Sequence, residues 1–212
     1  MAPSSAAAGE NVTVSVVTSG LSGALADLFG RSGASNGCWC QYWLLGPEYH
    51  RRDRGLNRAA LMDEAARSTP PGPGLLARSP DGTAVGWARL TPRAALPWLI
   101  ARLGRHLPDG GRDDGVWSMP CFFVRSRWRS HGVMSALIAA GIGVATDHRL
   151  PVLEAYPIDP SVPGATRNRY TGVLPAFLQA GFAEVARPSN DRAVVRYGPS
   201  HPCASGSGRS AR

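Results

Sequence analysis

The chain has 212 residues, long enough for one domain with a core of its own. Its hydrophobic fraction of 43% excludes a chain disordered throughout. Its 23 basic residues against 15 acidic ones leave a net charge of +8, which favours an anionic partner. Every one of those bases is arginine. A GC-rich coding bias accounts for that more readily than a preference for forked, phosphate-matching donors.

The opening MAPSSAAAGE lacks a basic region followed by an apolar core, so it does not read as a signal peptide. Residues 1–10 are expected to be flexible, and the domain to run from 11 to 197. Val12, Val14 and Val16 alternate within Asn11 to Val17 and predict a strand. Leu21 to Phe29 predicts a helix that stops at Gly30. The segment from Gly37 to Gly46 carries too many aromatics for a solvent loop. Leu56 to Arg67 is a second amphipathic helix, ended by TPPGPG. Leu75 to Arg78 and Ala84 to Leu90 flank the turn Pro80–Asp81–Gly82 and form a hairpin. Pro97 to His106 reads as helical, Trp117 to Val124 as a strand, Gly132 to Asp147 as a helix and Val152 to Tyr156 as a strand. A short helix ends near Ala180, and Phe182 to Arg187 with Arg192 to Tyr197 close the domain as a hairpin. The tail, 198–212, has the composition of disorder.

Cysteine spacing predicts neither a disulfide framework nor a metal centre. Cys38 and Cys40 flank Trp39 too closely for a zinc pair, and Cys121 and Cys203 stand far along the chain. A reduced, cytoplasmic setting follows. The longest apolar stretch, VMSALIAAGIGVA, is shorter than the roughly 18 residues of a membrane span, so no membrane partner is expected.

The order strand, helix, strand around Gly132 implies a parallel pair joined by a right-handed crossover. Nearly every residue from Val133 to Ala145 is apolar or small, which predicts a helix buried on all sides. Gly141 and Gly143 would let another element approach closely. A helix N-terminus offers unpaired N–H groups and partial positive charge, a site for phosphate. Gly132 clears the side chain from that end, and Arg125, Arg127 and Arg129 precede it. Valine at 132 would be accommodated, since it tolerates helical dihedrals. The competing reading is a plain turn with solvated arginines.

The pattern V-x4-R-x2-G-x-M from Val124 to Met134 resembles the acyl-CoA pyrophosphate loop of the GNAT superfamily of N-acetyltransferases. Arg129 and Gly132 match its R/Q-x-x-G-x-G/A order, while Met134 occupies the last small position. The element order from 11 to 197 is similar as well, including VWSMPCFFV, VLEAYP and LPAFLQAGFAEV. The resemblance implies an α/β fold, a mixed central sheet of six to seven strands with flanking helices, its parallel fourth and fifth strands splayed. It implies acetyl-CoA as co-substrate. The pantetheine arm would lie along Phe122, Phe123 and Val124, and the pyrophosphate on Arg129, Ser130, His131, Gly132, Val133, Met134 and Ser135. It places the acceptor pocket around Cys38, Trp39, Tyr42 and Trp43.

The implied activity is acetyl transfer to the amine of a small molecule (a metabolite, an antibiotic or an amino acid derivative) by direct attack in a ternary complex. Phe177 stands where many members carry a tyrosine that protonates the leaving thiolate. Tyr170 and Tyr156 are then the alternative acids. Glu154 shares a strand face with Val152 and Tyr156, so it serves either as a base for the amine or as half of a buried ion pair. Cys121 has no adjacent histidine and reads as a packing residue. Two rivals stand beside this reading: a degenerate domain that binds acyl-CoA without chemistry, favoured by Met134 and Phe177, and a basic RNA-associated protein, disfavoured by scattered arginines and the lack of an RNA-binding aromatic motif. A homodimer is left open.

Overall fold

Residues 12–112, 115–165 and 169–198 are described in a computed structural model. Both termini predicted to be flexible or disordered, 1–10 and 198–212, lie outside these residues apart from Gly198.

Local signals in the sequence set most of the elements. The valine alternation forms β1 (Thr13–Val16), which pairs antiparallel with β2 (Gly74–Arg78). The Pro80–Asp81–Gly82 turn joins β2 to β3 (Ala84–Arg89). The Asp81 carboxylate accepts from the Ser79 hydroxyl and the Thr83 N–H, which closes the turn. Helix α1 (Ser22–Phe29) stops at Gly30, whose φ of 57° with ψ of −162° is a conformation that essentially only glycine adopts. Short helices α2 (Tyr42–Leu45) and α3 (Glu48–Arg51) follow. Helix α4 (Arg54–Arg67) begins two residues before its apolar pattern does, because Asp53 caps it through the Gly55 N–H at 2.7 Å.

The remaining strands are interrupted in two places. β4 (Thr91–Pro92) continues β3 after Leu90, and β5 (Val116–Met119) runs on into β6 (Phe122–Val124) across Pro120–Cys121. Between them lies α5 (Pro97–Leu103), shorter than predicted because Gly104–His106 tightens into a 3₁₀ turn. After β6 come α6 (Val133–Asp147), β7 (Val152–Ala155), α7 (Leu174–Gln179) and the hairpin β8 (Ala183–Ser189) and β9 (Arg192–Tyr197).

One sheet runs β1-β2-β3-β6 and the other β4-β5-β7-β9-β8. Joining each interrupted pair reduces the segments to the six or seven strands expected, seven in all. Pro120 has no N–H for a ladder, so the long fourth strand changes sheets there. Val116–Met119 pairs in parallel with Val152–Ala155, whereas Phe122–Val124 pairs with Gly86–Ala88 on the other side. The parallel strands therefore part after Met119. That is the predicted splay, and proline is its physical cause.

Both faces of the first sheet are covered. Along β2, Leu75 and Ala77 pack toward α6 while Leu76 packs with Leu25, Leu61 and Trp87 under α1 and α4. Helix α6 corrects one expectation: it is buried along one stripe, Val133, Leu137, Ile138, Gly141 and Ala145, not on all sides. Its outer face carries Ser135, Ala139 and Gly143, too small to need cover. Close approach is likewise confined to Gly141, where a Cβ would lie 2.6 Å from the Met119 sulfur; one at Gly143 would meet nothing within 4 Å.

Candidate functional site

The first cavity, about 500 Å³, opens where the splayed strands part. Among the described residues β6 pairs with β3 alone, so its other edge faces this groove. Phe122, Phe123 and Val124 form one wall; Arg129, Ser130, Gly132, Val133, Met134 and Ser135 form the floor. Gly132 is the N-cap of α6, with φ 74° and ψ 0°, and no side chain caps the helix. The first turn carries no acidic residue, so its amide N–H groups are free for an anion. This donor set fits a pyrophosphate. The left-handed backbone also overturns the expectation for valine at 132, because a β-branched residue is strained there. His131 departs from the prediction too. Its imidazole turns away from the groove, with Nδ1 2.7 Å from the Arg129 carbonyl, and lines a separate surface hollow with Asp81 and Arg127.

The second cavity, about 460 Å³, lies between the segment after α1 and the end of β5. Cys38, Tyr42 and Trp43 line it as predicted, but Trp39 does not. Trp39 stacks on Phe29 with ring centroids 5.3 Å apart and is buried in the core beneath α1. Trp39 and Cys40 both hold left-handed backbone, φ 45° and 57°, at a cost of about 1–3 kcal/mol each. The surroundings offset that cost. The Trp87 indole N–H donates to Cys40 Sγ at 3.0 Å, and Trp43 Nε1 donates to the Pro120 carbonyl at 2.9 Å. Asn57 on α4 donates to the carbonyls of Gly37 and Tyr49.

The two cavities share two lining residues, Phe123 and Tyr170. Tyr170 is 39% exposed, so the junction carries a phenol open to solvent. Phe177 is fully buried against Phe122 and Phe182 and takes no part in either cavity.

Glu154 and Tyr156, two of the three predicted catalytic residues, line neither cavity. Glu154 is 0% exposed, and its carboxylate accepts from Arg93 at 3.2 and 3.3 Å and from Arg196 at 2.7 Å. The Tyr156 hydroxyl donates to it at 2.6 Å, and Ser118 lies 2.8 Å from the same hydroxyl. Asp109 completes the cluster, pairing with Arg93 and Arg196. Burial, with the Glu154 charge beside it, pushes the Tyr156 phenol well above its ordinary value. The buried ion pair, one of the two sequence readings of Glu154, is the one the geometry supports. Both guanidinium partners hold the carboxylate inside the fold, and it reaches neither cavity.

Sequence reasoning missed Cys40, Tyr49, Arg102 and Arg192, which line the second cavity together with His50. Arg192 follows the β8–β9 turn, far in sequence from the aromatic segment. Its Nη1 donates to the Tyr156 carbonyl at 2.7 Å and to the Thr171 hydroxyl at 3.1 Å, and it makes no ion pair among the described residues. Burial pulls its guanidinium below the ordinary arginine value, yet a guanidinium stays charged. Among the described residues the lining holds no Asp or Glu.

No family model matches the sequence, and no curated protein does so either. Solved structures do match. The GNAT domain of S. lividans PAT superposes with a TM-score of 0.54 at 15% identity, covering 88% of this chain and 89% of that one. PaiA N-acetyltransferase from Thermoplasma acidophilum, solved in complex with coenzyme A, gives 0.52 at 10% identity over 88% and 98%. The yncA protein from Salmonella typhimurium, solved with its cofactor acetyl-CoA, gives 0.51 at 13% identity over 92% and 97%. The chain has the GNAT fold, a mixed sheet splayed between its parallel strands and flanked by helices. Among the described residues no helix is long and apolar enough to cross a membrane.

Proposed function

We propose that the protein is an acetyl-CoA-dependent N-acetyltransferase acting on a small-molecule amine that also carries a carboxylate. One observation carries the reading: the groove over the α6 N-terminus and the aromatic cavity meet at Phe123 and Tyr170. A thioester lying along β6 would present its carbonyl at that junction, and an amine would arrive from the other side. The free N–H groups of α6 suit the pyrophosphate of acetyl-CoA. Arg192 and Arg102, in a lining whose described residues include no acid, suit an anionic group on the acceptor, which favours an amino acid derivative among the acceptors considered.

The reaction is direct attack in a ternary complex. The amine nitrogen bonds to the acetyl carbon, the carbon–sulfur bond breaks, and the departing thiolate takes a proton from the Tyr170 hydroxyl. The ammonium first loses one proton to water or to His50, the imidazole of this lining; after attack the nitrogen loses a second, which passes through water to restore the Tyr170 phenol. Tyr42 and Trp43 exclude bulk water and hold the ammonium by its charge until it loses that proton.

Calorimetric melting with acetyl-CoA tests the first half. Ligand at a hundredfold over Kd stabilises by about 2.7 kcal/mol, which for a domain of this size raises Tm by roughly 5–11 °C. Inorganic pyrophosphate should give a smaller shift; an equal one would mean a generic anion site, and no shift with acetyl-CoA would end the assignment. Free-thiol release from acetyl-CoA across paired amines, with and without a carboxylate, tests the second half. Preference for the uncharged member of each pair would refute the role of Arg192.

A further inference from the structure

Three cysteines line the aromatic cavity, and two of them touch. Cys40 Sγ and Cys121 Sγ lie 3.1 Å apart across 81 residues of sequence. A disulfide is about 2.05 Å long, so closure by roughly an ångström would join them. Neither residue sits in a regular element: Cys40 precedes α2, and Cys121 lies in the break between β5 and β6.

Packing alone accounts for two neighbouring buried thiols, but not for what surrounds these. The Trp87 indole N–H points at Cys40 Sγ from 3.0 Å, a donor that favours a sulfur carrying negative charge. Arg89, on the same strand, is buried and held by Glu64 at 2.8 and 2.9 Å, and its Nε has no hydrogen-bond partner. Burial works against charge on Cys40. The hydrogen bond shared with Cys121, the Arg89 charge and the Trp87 N–H outweigh it and hold that thiol below its ordinary value. Cys121 and Cys38 are pushed the other way, Cys38 to about 11 by burial. The pair thus has a nucleophilic member, a neighbour in contact with it, and a cavity through which a small oxidant reaches both.

We propose that Cys40 and Cys121 are a peroxide-sensitive pair whose disulfide alters the wall of the aromatic cavity and impairs use of the acceptor. The Cys40 thiolate attacks one oxygen of the peroxide, the oxygen–oxygen bond breaks, and hydroxide leaves with a proton as water. Cys121 sulfur then displaces the second oxygen, also lost as water. Two thiols and one hydrogen peroxide give one disulfide and two waters; sulfur is oxidised and peroxide reduced. The bridge ties the CWCQYW segment to the strand break beside Phe123. The groove over α6 contains neither cysteine. The effect on the acceptor rests on the function proposed above; the bond itself does not.

The test uses the full chain, reduced, desalted and exposed to a tenfold excess of hydrogen peroxide, with remaining thiols then blocked by N-ethylmaleimide. Non-reducing mass spectrometry should show the loss of two hydrogens and a linked peptide pair containing Cys40 and Cys121. Dithiothreitol should reverse both. Cys38→Ser should still form the bridge, whereas Cys40→Ser and Cys121→Ser should not; the linked peptide in the unaltered chain needs no variant. Oxidation should lower turnover at least tenfold, reversibly, while calorimetric acetyl-CoA affinity changes less than twofold. A link to Cys38 or Cys203, sulfinic acid without a link, or unchanged mass would overturn the pair. A bridge with unchanged turnover would overturn the effect on the acceptor. Failure of the reduced protein to bind acetyl-CoA would instead refute the proposed function and leave the mass result standing.

Discussion

Glu154→Gln keeps the shape of the side chain and removes one charge from a cluster of two carboxylates and two guanidinia. Arg93 and Glu154 are 0% exposed at their side chains, and Arg196 and Asp109 are 12% exposed, so water does little to replace the lost charge. The variant leaves Arg93 and Arg196 sharing Asp109, with one net positive charge in the interior. Removing one partner of a buried pair costs about 3–5 kcal/mol. A domain of this size loses about 2–4 °C of Tm per kcal/mol, so the expected drop is roughly 6–20 °C. Differential scanning calorimetry measures it, and a calorimetric titration with acetyl-CoA below the new Tm should give an unchanged affinity. Glu154→Leu combined with Arg93→Met should recover part of the loss, because a well-packed apolar pair avoids desolvating the ions. The reasoning fails if Glu154→Gln melts like the parent and turnover alone collapses. The carboxylate would then be a base, as one sequence reading had it.

Gly132→Val should lower stability by about 1–3 kcal/mol through its left-handed backbone, besides weakening acetyl-CoA binding, whereas Gly132→Asn should keep most of the stability; equal Tm values for the two would contradict the conformational argument. Tyr170→Phe should reduce turnover by about a hundredfold with unchanged acetyl-CoA affinity, the size expected of a lost general acid; normal turnover would hand that proton to water. Burial acts to raise the Asp109 carboxyl, but hydrogen bonds from Arg93 and Arg196 outweigh it and hold the group below its ordinary 3.8. Its contribution is therefore complete above 3.8 and lost as the pH falls through the lower folded value. Urea midpoints should drop below that pH, and Asp109→Asn should flatten the drop.

Local patterns made most of the fold legible. The alternating valines, the Pro–Asp–Gly turn and the apolar run after Gly132 each produced the element they imply, because the interactions that set them lie within a few residues. The groove was legible for the same reason: the residues from Phe122 to Ser135 that line it are nearly continuous in sequence. The aromatic cavity was not. Arg102 and Arg192 reach it from α5 and β9, and no spacing in the chain reports that approach. Glu154 was read correctly as a costly charge on an inner strand, but Arg93, Arg196 and Asp109 come from three distant segments. Cys121 looked isolated because 81 residues separate it from Cys40; the proline that splits the fourth strand brings it to the cavity wall. The left-handed turn at Gly132 leaves no mark in helix propensity, which describes residues inside a helix and not its cap.

Because Phe123 and Tyr170 belong to both walls, a molecule in one cavity touches side chains that also bound the other. If the first molecule fixes these side chains at an entropic cost, the second finds them already ordered. Such coupling is reciprocal by thermodynamic necessity: if one occupant raises the other's affinity by some factor, the reverse factor is the same. A preferred order of addition then needs no moving lid. It follows from two rooms sharing one partition.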